Sequence, residues 1–139
     1  MKFMVLMIPG NSKSYEAGAM PEPAAIDKMM KYNEDLAKAG VLLALDGLHP
    51  TSKGARLAFG GGKPSVTDGP FTEARELIGG YWMWQVKSKE EAVEWAKRCP
   101  ADPGDTLELR QVFDAADFGP DIAAREGEFA KALEKNAKA

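Results

Sequence analysis

The chain carries one histidine, His49, and acid–base chemistry, if it occurs, centres there. An imidazole with an unperturbed pKa of about 6.5 exchanges protons near neutral pH. A carboxylate within hydrogen-bond reach orients such a ring and holds its charged form. Asp68 is the candidate, since both residues follow strand-like runs and stand in turn-forming sequence, His49 before Pro50 and Asp68 before Gly69-Pro70. The plainer reading stays open beside it: an Asp before Gly-Pro caps its own turn, and a His before Pro simply ends a strand. Three neighbours join the candidate set. Phe71 walls a pocket or packs, Arg75 binds an anionic group or is solvated with Glu76, and Tyr81 offers its hydroxyl to a ligand or lies in a dimer core. Glu108 and Arg110 share one face of a strand and read as a surface pair. Cys99, at a helix C-terminus where the dipole does not favour a thiolate, reads as inert core.

The elements that must position these groups follow from periodicity. Residues 3–8 are apolar throughout and read as a strand covered on both faces. Residues 9–23 are rich in Gly, Pro, Ser and Asn and read as a long loop of the kind that often serves binding. Ile26, Met29, Met30, Leu36 and Ala37 form a helical stripe over residues 24–39, closed by Gly40. Residues 41–45 form a second strand running into the turn at residues 46–50. Residues 56–59 and 64–67, joined across Gly60-Gly61-Gly62, read as a hairpin. Residues 78–86 carry the strongest strand signal, with Gly79-Gly80 marking a bulge or a close backbone approach. Ser88 with Glu91 is a capping box, and Ala92, Val93, Ala96 and Cys99 give the helix that follows its buried stripe. Residues 106–113 alternate as a last strand, and residues 122–138 form an amphipathic helix with Phe129, Ala130 and Leu133 on one face.

The order is strand, helix, strand, hairpin insert, strand, helix, strand. It predicts an α+β fold, a ferredoxin-like βαββαβ plait over residues 1–118 with a C-terminal helical extension at 119–139. Two helices cover one face of a four-stranded sheet. The first and third main strands are apolar on both: Phe3, Val5 and Met7 against Met4, Leu6 and Ile8, and Trp82, Trp84 and Val86 against Tyr81 and Met83. A second copy of the sheet is the simplest cover, so a homodimer is expected.

Composition narrows the function classes. A net charge of −3 in 139 residues gives no basic footprint for nucleic acid. One Cys and one His can form neither an internal disulfide nor a closed zinc shell. The apolar start is too short to span a bilayer, so a cytoplasmic protein without a membrane partner is expected. No nucleophile elbow or dinucleotide fingerprint occurs, and nothing calls for a metal, flavin or nicotinamide cofactor.

The run Asp68-Gly69-Pro70-Phe71-Thr72-Glu73-Ala74-Arg75-Glu76-Leu77-Ile78-Gly79-Gly80-Tyr81 closely resembles the signature of DGPF proteins, a branch of the YCII-related family. Val86-Lys87-Ser88-Lys89-Glu90-Glu91-Ala92, Glu94-Trp95-Ala96 and the start Met1-Lys2-Phe3-Met4 are similar to it as well. The resemblance runs to about Phe118. It implies a dimeric α/β barrel of two plaits packed face to face around a pocket, where a His and an Asp are proposed as an acid–base pair. Asp68 is the Asp of the motif, and His49 takes the His position more loosely. Some such proteins are encoded beside alternative sigma factors, so the resemblance points to stress regulation, with a regulatory protein as a partner to test, though it shows no contact.

Two functions follow as expectations. One is a cofactor-free enzyme for proton transfer, elimination, isomerisation or lactone chemistry on a small organic molecule, with His49 as base and Asp68 as its orienter. The other is a non-catalytic module that binds a metabolite or a regulatory protein.

Overall fold

The structure, a computed structural model, describes residues 1–71 and 77–138. Strand β1 (Lys2–Ile8) leads through a short helix α1 (Ser12–Glu16) to helix α2 (Pro23–Lys38) and strand β2 (Leu42–Gly47). A 3-10 turn (Thr51–Lys53) precedes the hairpin strands β3 (Ala55–Ala58) and β4 (Ser65–Asp68). Strand β5 (Gly80–Gln85), helix α3 (Lys89–Lys97) and strand β6 (Thr106–Gln111) complete the plait. A second 3-10 turn (Ala115–Phe118) then leads to helix α4 (Pro120–Lys138).

The main sheet has the order β2-β5-β1-β6 with every neighbour antiparallel, and β3 pairs only with β4. The two strands that read as apolar on both faces, β1 and β5, are the two central ones. This is the expected ferredoxin-like α+β arrangement, with the hairpin inserted between β2 and β5.

Strand alternation sends Phe3 and Val5 of β1 and Trp82 and Trp84 of β5 toward α2 and α3, where all four are buried. Tyr32 and Leu36 of α2, Val41, Val86 and Ala92 of α3 close this core, with Leu107 and Leu109 of β6 packed at its edge. Two polar ties fix the layers. The Tyr32 hydroxyl donates to the Trp95 carbonyl at 2.7 Å, and the Trp82 indole N–H donates to Asn33 Oδ1 at 2.8 Å.

The buried stripe of α2 therefore differs from the expected one. Ile26 and Met30 are exposed, at 39% and 56%, and Ala37 is exposed too. The true stripe uses Tyr32, an amphipathic residue that reaches the core because its hydroxyl finds a carbonyl. The capping of α3 is also rearranged. Ser88 Oγ accepts from the Glu91 N–H at 3.1 Å as expected, but the Glu91 carboxylate accepts from Lys87 rather than from Ser88. The long loop after β1 holds α1, which begins where Asn11 Oδ1 accepts the Ser14 N–H at 3.0 Å.

The opposite sheet face carries Met4, Leu6, Ile8, Tyr81 and Met83, all half-buried. Glu108 and Arg110 flank them as an exposed ion pair at 3.4 Å. No described helix packs across this face. Among the described residues, no helix is long and apolar enough to cross a membrane.

Replacing Leu36, fully buried, by Ala is expected to cost about 2–5 kcal/mol in urea unfolding. Met30→Ala, on the exposed side of the same helix, stays within about 0.5 kcal/mol. Equal losses would contradict the stripe assignment.

Candidate functional site

Three loops meet at one end of the sheet, and Thr51 joins them. The Glu16 carboxylate at the end of α1 accepts both the Thr51 backbone N–H, at 2.9 Å, and the Thr51 hydroxyl. The same hydroxyl oxygen accepts the Phe71 N–H at 3.1 Å. Only a group that is donor and acceptor at once can serve both partners. The Tyr15 hydroxyl donates to the carbonyl of Leu48 and lies 3.3 Å from that of His49. So α1, the segment after β2 and the turn after β4 are tied through short polar contacts.

The turn after β4 needs its glycine for space. A Cβ on Gly69 would lie 1.7 Å from the Thr51 carbonyl oxygen, while the Gly69 N–H donates to the Gly54 carbonyl at 3.0 Å and extends the hairpin ladder. The Gly69–Pro70 peptide is cis. Gly79 and Gly80, which read as a bulge or a close backbone approach, both stand against close neighbours, a backbone one at Gly80 and the Pro9 ring at Gly79. Added Cβ atoms would stand 3.0 Å from Pro9 Cγ and 3.0 Å from the Asp46 carbonyl oxygen. The Leu48 N–H donates to the Gly79 carbonyl and the Gly79 N–H to that of Met7, which locks the end of β2 to the start of β5.

Around this frame the candidate residues take distinct positions. His49 is exposed, and its backbone carbonyl faces the Tyr15 hydroxyl. Asp68 ends β4 opposite Ala55 and is exposed. Among the described residues, no hydrogen bond or ion pair joins His49 to Asp68. Phe71 is half-buried, with the Arg56 guanidinium 4.0 Å above its ring centre, a cation–π contact. Arg75 lies outside the described residues. Tyr81 is already engaged: its hydroxyl donates to Asp46 Oδ2 at 2.8 Å, and the two residues are register partners on the open sheet face.

The electrostatics follow from these bonds. The Thr51 hydroxyl, then the Thr51 N–H, hold the Glu16 carboxyl below the usual carboxylate range. The bond to Asp46, reinforced by its charge, raises the Tyr81 phenol, so at neutral pH Tyr81 is a donor. Burial, then the nearby Glu16 charge, raises Tyr15. Burial, with Asp105 nearby, pushes the Cys99 thiol up to about 11, which fits an inert residue.

Sequence reasoning did not single out Tyr15, Glu16, Thr51, Arg56 or Asp46. Asp46 reads as the first residue of the turn after residues 41–45, whereas β2 runs on to Gly47 and pairs Asp46 with Tyr81. The Glu16–Thr51 contact, 35 positions apart between two loops, left no periodic signal.

The family model of the YCII-related domain matches residues 1–116, from β1 into the second 3-10 turn. The chain belongs to the YCII-related family. An uncharacterised protein of Rhizobium meliloti is similar to it, 33% identical over 86 residues. That match covers 62% of this chain and 64% of the Rhizobium protein, so the chain spans less than two thirds of its relative. Helix α4 lies beyond the matched domain.

Two outcomes test the Thr51 frame. Gly69→Ala is expected to lose more than about 1 kcal/mol in urea unfolding, whereas Gly60→Ala, with open space around its Cβ position, changes stability little. The lowered Glu16 pKa makes its contribution fully present above the unfolded-state value and lost as pH falls through the folded-state value. The Tm gap between the wild-type chain and Glu16→Gln should therefore be widest at neutral pH and close in acid. A gap that persists below the carboxylate range would contradict the assignment.

Proposed function

We propose that two copies of this YCII-related chain close over the open sheet face and bind a small organic molecule in the pocket so formed. The observation that carries the reading is the half-buried apolar face of β1 and β5, bordered by the Asp46–Tyr81 pair and by the loop frame around Thr51. A pocket with apolar walls and a few fixed polar groups is the usual form of a small-molecule site. Tyr81 supplies a hydroxyl oriented by Asp46, and Phe71 with Arg56 above it forms a wall at the frame; Arg75 belongs to the same proposed set.

Within that pocket His49 acts as the base, and Asp68 orients its imidazole. The chemistry is cofactor-free proton transfer, elimination, isomerisation or lactone opening. One observation favours a second reading, a non-catalytic metabolite-binding or regulatory module. It is the absence of a hydrogen bond between His49 and Asp68 among the described residues.

The lone imidazole allows a direct test, because its NMR signals overlap with no other histidine. A carboxylate paired with the ring fixes its orientation. Asp68→Asn is therefore expected to move the His49 ring-carbon signals in the assembled protein. Superimposable spectra of wild-type and variant would remove the acid–base pair and leave the binding module.

A further inference from the structure

The open sheet face holds its polar groups in register. Asp46 of β2, Tyr81 of β5, Leu6 of β1 and Glu108 of β6 are partners in one row across all four strands. Ala44, Met83, Met4 and Arg110 form the next row. The first row therefore ends in a carboxylate on each side, with a phenol and an apolar side chain between.

The hydrogen-bond count at the Asp46 end is one-sided. The Tyr81 hydroxyl has a single proton, and Asp46 Oδ2 takes it at 2.8 Å. That bond and the Asp46 charge raise the phenol, so the proton stays in place at neutral pH. What the pair offers a ligand is acceptor only: the lone pairs of the phenol oxygen and the remaining ones of the carboxylate. Among the described residues, no other group donates to the Asp46 side chain, and no ion pair includes it.

The cations of this face stand elsewhere. Arg110 is three strand spacings from Asp46, about 14 Å, and its guanidinium pairs with Glu108 at 3.4 Å. Lys2 is four residues from Leu6 along β1, about 13 Å, at the far end of the strand. Closing a second copy over the face takes the Asp46 carboxylate out of water, and a buried charge without a counter-charge is costly. A cationic donor on the ligand offsets that cost, whereas an anionic ligand adds to it.

We propose that the closed pocket takes a small apolar molecule bearing a protonated amine, whose ammonium group donates to Asp46 and to the Tyr81 oxygen while its apolar part lies against Met4, Leu6 and Met83. The inference rests on the pocket of the proposed function and adds its ligand class. The two thioether side chains on that wall suit an aromatic ring, which methionine sulfur contacts favourably.

Benzylammonium, benzyl alcohol and benzoate share one ring and differ in charge, so they serve as matched probes. Each is titrated into the isotope-labelled full chain at neutral pH, and the Asp46 and Tyr81 amide signals are followed by NMR. Benzylammonium is expected to bind about tenfold more tightly than benzoate, with benzyl alcohol between them. Asp46→Asn erases that preference, and Tyr81→Phe weakens benzylammonium several-fold. Sedimentation equilibrium without probe supplies the second readout. Asp46→Asn leaves the dimer at least as tight as wild type, because it removes an uncompensated charge from the closed face. A dimer weakened several-fold by Asp46→Asn would show that the second copy supplies the cation, and would overturn the inference. A dimer that binds benzoate as tightly as benzylammonium, or binds none of the three, would overturn the ligand class and leave the pocket. A protein that sediments as a single chain would remove the closed pocket and the ligand class with it.

Discussion

One constraint governs the fold: the two central strands of the sheet are apolar on both faces, and α2 and α3 serve only one of them. Burying Phe3, Val5, Trp82 and Trp84 under those helices forms a core of ordinary kind, driven by removal of apolar surface from water. The same alternation necessarily sends Met4, Leu6, Ile8 and Met83 to the other side. A one-residue register slip would not relieve this, because both alternating sets are hydrophobic. The described helices leave this apolar face half-buried, and closing it is what the proposed pocket requires.

The loop frame shows how the same end of the sheet acquires polar precision. Thr51 is held by Glu16 on one side and holds Phe71 on the other, so a single hydroxyl couples α1 to the turn after β4. The glycine of that turn is set by the space under the Thr51 carbonyl, not by a left-handed backbone. Turn chemistry and site geometry are therefore one problem at Asp68-Gly69-Pro70-Phe71. The Asp46–Tyr81 bond does similar work on the sheet itself, fixing a phenol where an apolar face meets the loops.

Much of the fold was legible in the sequence because its signals are local. Continuous apolar runs marked β1 and β5, alternation marked β6, Gly40 closed α2, and the triple glycine marked the hairpin. The stripe of α2 was misread because Tyr32 counts as amphipathic in a sequence and as core in the packed protein, where Trp95 receives its hydroxyl. The site was less legible for a related reason. His49, Asp68, Phe71 and Tyr81 stand out by residue type or motif, but the contacts that hold the His49 backbone, Phe71 and Tyr81 come from Tyr15, Glu16, Thr51, Arg56 and Asp46. Those residues meet only through tertiary contacts between loops, and no spacing rule reaches them. Likewise Gly79-Gly80 reads as a bulge or a close backbone approach, while the groups that stand close, the Pro9 ring and the Asp46 carbonyl, emerged only with the fold.

Sedimentation velocity over a range of protein concentrations addresses the central constraint most directly, comparing the wild-type chain with Leu6→Glu, which sets a charge in the middle of the open face. If that face is closed by a second copy, the wild-type protein sediments at twice the chain mass, and Leu6→Glu falls to the mass of one chain with its helical circular dichroism retained. A wild-type protein that stays at one chain mass at every concentration would contradict the account.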